Sequence, residues 1–174
     1  GDSLKPVTEA LRKRKTIEWI HVRHEEVAAI AESAGAQLSG NLAVCCGSSG
    51  PGNLHLINGL FDAHRNHAPV LAIASHIPQS QVGMEYFQAT HPEQLFKECS
   101  AYAELVSEAS QAPCILMSAI QHAWARRDVG VVVLPGDIAD APAEMKNLVH
   151  PPSYTRENVV PEHESVSLLA RMLD

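Results

Sequence analysis

Three short apolar runs constrain this chain most: Leu-Ala-Val-Cys-Cys at 42–46, Val-Leu-Ala-Ile-Ala at 70–74 and Val-Gly-Val-Val-Val-Leu at 129–134. Each has the length of a strand and is unbroken instead of alternating, which predicts strands covered by other structure on both faces. Segments of helical period lie between them. At 25–39, Val27, Ile30, Ala31, Ala34 and Leu38 recur at helical spacing, and Gly40 follows as a stop. At 53–67, Leu56, Ile57, Leu60 and Ala63 form an apolar stripe. Pro92 opens a short helix over 92–99, and 113–127 reads as a further helix. Residues 16–22 (TIEWIHV) and 102–106 read as two more strands, and 75–90, with Pro78 and Gly83, as a loop. The resulting order, β-α-β-α-β-(loop-α)-β-α-β, predicts an α/β fold: a three-layer α/β/α sandwich around a mainly parallel sheet.

Composition narrows the function. Among 174 residues, 13 Lys and Arg face 20 Asp and Glu, a net charge of −7 with His neutral. Such a chain offers no broad basic field for phosphate, which argues against a nucleic-acid partner. No apolar run approaches the roughly 20 residues that cross a bilayer, so no transmembrane segment is expected. The four cysteines, Cys45, Cys46, Cys99 and Cys114, form no disulfide framework, and Cys45 and Cys46 are adjacent. That pattern suggests a reducing, cytoplasmic setting.

Two segments carry candidate chemistry. Gly47-Ser-Ser-Gly-Pro-Gly52 lies between a buried strand and a helix, where unpaired N–H groups and the positive end of the helix dipole meet a ligand. It matches neither the P-loop nor the dinucleotide fingerprint, and by itself reads equally as an ordinary tight turn. Arg23-His24-Glu25-Glu26 lies at a predicted strand end, where parallel sheets bind ligands. One of the two glutamates can complement the helix dipole; the other, facing the sheet end among apolar neighbours, is expected to have a raised pKa and to pass a proton to a heteroaromatic nitrogen. The ten histidines lack the spacing of a metal site, so no metal ligand is assigned among them.

The string TIEWIHVRHEEVAA at 16–29, GPGNLHLINGLFD at 50–62, PVLAI at 69–73 and YFQ at 86–88 resembles the pyrimidine-binding (PYR) domain of thiamine-diphosphate enzymes. It is most similar there to pyruvate oxidase and quinone-dependent pyruvate dehydrogenase, with VVVLPGD at 131–137 matching the domain's last strand. The resemblance implies that Glu25 hydrogen-bonds the aminopyrimidine ring nitrogen and favours the tautomer that takes the proton from the thiazolium carbon. It also implies that Gly50, Pro51 and Gly52 lie along that ring, with Asn53 opening the helix behind them. Phe87 and Gln88 match an aromatic–amide pair entering the active site, and Asp2 matches an active-site acid of some decarboxylases. Glu26 is left as structural.

The same resemblance implies a domain plan. Residues 1–142 are expected to form the PYR domain without its first strand, 143–160 a proline-rich linker, and 161–174 the first helix of a middle, FAD-binding domain. Gly136-Asp137 is followed by Ile138, so it is not the family's diphosphate and Mg²⁺ motif. Thiamine diphosphate with Mg²⁺ is therefore expected to be shared with the diphosphate-binding domain of a neighbouring subunit in a homo-oligomer, with FAD elsewhere in a longer protein. Pyruvate or a related 2-oxo acid is the expected substrate, and a cytoplasmic or peripheral-membrane location the expected setting. Such a piece is expected to be inactive alone. The alternatives are a fragment of an acetolactate synthase-like carboligase or 2-oxo-acid decarboxylase, or a non-catalytic PYR-like assembly module.

Overall fold

The computed structural model describes residues 1–142 and 160–173. Its helices are α1 (Lys5–Arg14), α2 (Glu25–Ser39), α3 (Pro51–Arg65), α4 (Pro92–Leu95), α5 (Ala112–Arg126), α6 (Gly136–Asp140) and α7 (His163–Leu173). Its strands are β1 (Ala43–Gly47), β2 (Val70–His76), β3 (Tyr102–Leu105) and β4 (Val129–Pro135). The four strands form one parallel sheet in the order β1-β2-β4-β3. β2 and β4 are its centre, and their apolar runs are covered on both sides.

Alternate residues of the central strands feed two cores. Val70, Ala72 and Ala74 of β2 and Val129, Val131 and Val133 of β4 pack with Ala29 of α2, Leu56 and Leu60 of α3, and Phe96. Leu71 and Val132 point the other way, onto Ala119, Ile115 and Ile120 of α5 and Ile138 of α6. A sheet with helices on both faces is the α/β sandwich expected from unbroken strands. α2 runs over 25–39 and stops at Gly40, whose φ of 71° closes the helix with an N–H to Ala36 O bond of 2.9 Å.

α2 and α3 meet through small residues. Gly59 has no room for a side chain: a Cβ there would sit 2.5 Å from Ala29 Cβ and 2.7 Å from the Ile30 nitrogen. Buried Ser33 donates to Asp62 Oδ2 at 2.6 Å across the same contact. Together these fix where the first turn of α2 lies relative to the first turn of α3.

Several elements differ from the sequence reading, among them the helix expected over 92–99, which ends at Leu95. Residues 16–22 form no strand: Ile17 and Ile20 are 65% and 71% exposed, and the segment joins no ladder of the sheet. β-propensity expresses packing on a partner strand, and β1 pairs only with β2. β2 continues through Ser75 and His76, both buried, because the Ser75 hydroxyl bonds the Gly47 carbonyl at 2.8 Å. α3 begins at Pro51, two residues before the predicted start, because Pro favours the first helical position. Except for Val160, the expected linker over 143–160 lies outside the described residues.

Candidate functional site

The site is built where β1 ends. Gly47 closes the strand, Ser48, Ser49 and Gly50 turn the chain, and Pro51 starts α3. Gly50 has a φ of 68°, a left-handed value that favours glycine. A Cβ on Gly50 would lie 3.0–3.1 Å from the backbone and Cβ of Gln88, so the loop after β2 rests directly on this turn. The turn is tied down from three sides. The Ser49 N–H donates to Ser3 Oγ at 3.1 Å, Ser3 and Ser75 hydroxyls meet at 2.8 Å, and Asn53 Nδ2 donates to the Ser75 carbonyl at 2.8 Å.

Glu25 is the first residue of α2, with His24 as its N-cap. Its carboxylate reaches across to the turn: Ser48 Oγ donates to Oε1 at 3.0 Å, and His55 Nδ1 meets Oε2 at 3.2 Å. A Cβ on Gly52 would sit 2.6 Å from Glu25 Oε1, so the glycine leaves the space the carboxylate fills. Desolvation pushes the Glu25 carboxyl up, but its own backbone N–H, His55 and Ser48 together outweigh this and hold it below the usual carboxylate range. The raised pKa expected for a glutamate here is therefore corrected. The wall is polar enough to keep the anion.

The other predicted residues divide between the site and its support. Gly50, Pro51 and Gly52 line the turn, with Gly50 and Gly52 buried and Pro51 exposed. Asn53 is fully buried and turned into the fold, where it holds the turn to β2; its Oδ1 has no hydrogen-bond partner among the described residues. Gln88 lies over Gly50, and its Oε1 accepts from Ser49 Oγ at 3.2 Å. Phe87 is 82% exposed and tilted against Tyr86, with ring centroids 5.1 Å apart. Asp2 is exposed in a 3₁₀ turn whose neighbour Ser3 is the residue bonded to Ser49.

Sequence reasoning missed Ser48 and His55 as partners of Glu25, and His24 as the ring that stacks on His55. His55 follows Gly52 by three residues, so helical spacing alone places both on one face of α3. The His24 and His55 rings stack with centroids 4.2 Å apart. Glu26, left as structural, accepts from Asn58 Nδ2 at 3.2 Å and so links α2 to α3.

Beside the carboxylate opens a cavity of about 690 Å³. Its walls include Glu25 and Ser48 at one end, Cys46 and Val44 of β1, and Ile17, Trp19 and Ile20 of the extended segment. Gly50, Pro51 and Gly52 do not line it. Among the described residues, no three His, Cys, Asp or Glu side chains converge as a metal site needs. No helix among them is long and apolar enough to cross a membrane.

A carboxylate, a serine hydroxyl and a glycine-rich turn meet at the carboxyl end of a parallel strand, which defines an α/β domain of the class that places its ligand sites there. The sequence agrees with this class. The profile of the thiamine pyrophosphate enzyme N-terminal TPP-binding domain matches residues 1–99, and the chain belongs to that family.

Relatives extend the match. Over 175 residues the chain is 55% identical to an uncharacterized 42.6 kDa protein from the isoamylase 3' region of Pseudomonas amyloderamosa, covering all of this chain and 44% of that protein. It is 36% identical over 175 residues to the putative thiamine pyrophosphate-containing protein YdaP of Bacillus subtilis (strain 168), covering 100% of this chain and 30% of YdaP. It is also 38% identical over 139 residues to a pyruvate oxidase of Lactiplantibacillus plantarum, covering 79% of this chain and 23% of that enzyme. The chain thus spans less than half the length of each of these relatives.

Proposed function

We propose that this chain is the aminopyrimidine-binding part of a thiamine-diphosphate- and FAD-dependent enzyme that oxidatively decarboxylates pyruvate. The observation that carries the reading is the Glu25 carboxylate lodged against Gly52, with Ser48 on one oxygen and His55 on the other. The likeness to a pyruvate oxidase supports the substrate.

When bound, thiamine diphosphate would supply a carbon nucleophile and an electron sink for decarboxylation of a 2-oxo acid. This chain's residues serve that chemistry from the pyrimidine side. Glu25 accepts and returns a proton at the ring nitrogen, at a wall where part of its hydration is replaced by fixed donors. Gly52 makes room for the Glu25 carboxylate that faces the ring, Gly50 makes room for Gln88, and Pro51 stiffens the turn. Asn53 keeps the turn on β2. Gln88 offers its amide, Phe87 its ring and Asp2 its carboxylate to the substrate side. The diphosphate and Mg²⁺ are held by the diphosphate-binding domain of a neighbouring subunit in a homo-oligomer, and FAD by a middle domain whose first helix is α7.

The test is Glu25→Gln in the full-length protein. The amide keeps the shape and loses the exchangeable proton, so pyruvate-dependent CO₂ release should fall by at least 10²-fold while the fold stays intact. Retention of most activity would overturn the reading. Product analysis separates the chemistries: acetate supports oxidation, and acetolactate or acetaldehyde refutes it.

A further inference from the structure

We propose that His55 is a positioning residue for Glu25, fixing the plane and the charged state of the carboxylate from α3 while Ser48 fixes it from the turn. This rests on the reading of Glu25 as the acid that serves the ring nitrogen.

A glutamate's terminal torsion is broad and roughly two-fold, so a carboxylate on a mobile side chain presents no defined lone pair. Here the two oxygens are held by different elements: Oε1 by Ser48 Oγ at 3.0 Å, and Oε2 by His55 Nδ1 at 3.2 Å. Donors on opposite oxygens remove that rotation. The imidazole is itself held, because the His24 ring stacks on it at 4.2 Å and 25°. His24 caps α2, and Asn58 of α3 donates to Glu26 of α2 at 3.2 Å. The histidine pair thus lies at the partly exposed edge where the two helices meet, each side chain 44% exposed. With Nδ1–H donated to Glu25, the Nε2 edge faces away from the carboxylate, and the contact is a charge-assisted bond that favours the ionised acid.

The groups facing Glu25 are few. His24 and Glu26 flank it on α2, and His55 reaches it from α3. The cavity wall adds Glu18, His21, Arg23 and Glu32. Of these, His55 alone makes a hydrogen bond to the Glu25 carboxylate among the described residues. Removing it therefore alters Glu25 more than the loss of any other ring nearby.

Asparagine discriminates a positioning role from a packing one. The Nδ2 of His55→Asn can occupy the place of Nδ1, while His55→Ala supplies no donor and His55→Gln carries its donor one atom too far. The cofactor-free full-length protein is first compared as wild type, His55→Ala, Glu25→Gln and the double variant by thermal unfolding at neutral pH. We expect His55→Ala to lower the midpoint in the wild-type background and to do little in the Glu25→Gln background, the mark of a direct pair. The acid limb of kcat/KM for pyruvate should move up by about half to one pH unit in His55→Ala and return in His55→Asn. Should His55→Ala not fold, His55→Gln against His55→Asn carries the same comparison. Additive midpoints together with an unmoved acid limb would overturn the proposal. A Glu25→Gln enzyme that stays active while the midpoints remain coupled would instead overturn the reading of Glu25 and leave the positioning contact standing.

Discussion

Gly52→Ala separates folding from function at a single atom. Gly52 lies in the first turn of α3, with no left-handed backbone to forbid a side chain. Its added Cβ would sit 2.6 Å from Glu25 Oε1 and closer still to Ser48 Oγ, the hydroxyl that holds that oxygen, whereas ordinary contact begins at 3.4 Å. The carboxylate is the free end of a flexible side chain, so it retreats instead of the backbone. Two opposing effects act on stability. Alanine removes a helix penalty of about 0.5–1 kcal/mol, and displacing Glu25 from Ser48 and His55 costs about as much. The melting temperature should therefore move by less than about 4 °C, since about 1 kcal/mol shifts a domain of this size by 2–4 °C. Activity follows a steeper rule: a misplacement approaching 1 Å costs up to about 10²-fold. Circular-dichroism melts and pyruvate-dependent CO₂ release on the full-length protein give both readings. A variant keeping half of wild-type activity would refute the argument that the glycine exists to seat the carboxylate.

Gly59→Ala should do the reverse, destabilising by about 1–3 kcal/mol through overpacking against Ala29 and the Ile30 backbone; an unchanged denaturation midpoint would contradict it. Ser75→Ala breaks bonds to Ser3 and Gly47 in a buried place and should cost about 1–3 kcal/mol, read by urea titration. Because Glu25 is held below its ordinary value, its stabilisation is complete above the unfolded value near 4.3 and is lost as pH falls through the folded one. Glu25→Gln should accordingly flatten the acid limb of a stability–pH profile, and an unchanged slope would refute this. Burial pushes the His76 imidazole down, with Glu93 opposing and His91 assisting, so its neutral form favours the fold above about 6.5 and that contribution fades as pH falls; a His76→Gln profile parallel to wild type between pH 7 and 5 would speak against it. Burial raises the Cys46 thiol to about 11 and the Cys99 thiol to about 12. Iodoacetamide at neutral pH should therefore mark exposed Cys114 first and reach buried Cys99 only on unfolding, as peptide mass spectrometry would reveal.

Local pattern determined much of this protein. The unbroken runs at 70–74 and 129–134 required cover on both faces and became the central strands, because a side chain buried on either side must be apolar, whereas the equally unbroken run at 42–46 became the edge strand β1 with Val44 exposed. The span of α2 was legible from its stripe and from Gly40, and the family resemblance singled out Glu25 and Gly50-Pro51-Gly52, of which Glu25 and Gly52 do lie against each other. What local pattern could not decide was pairing. Residues 16–22 carry the composition of a strand but join no ladder, and they wall a cavity instead. The charge of Glu25 was likewise misjudged, because its donors come from residues 48 and 55, on a turn and a helix brought to it only when α2 packs on α3. Periodicity records which face of an element is dry; which donor meets which acceptor depends on distances set by Gly59 and Ala29 at the crossing of two helices, and tertiary structure alone supplies those.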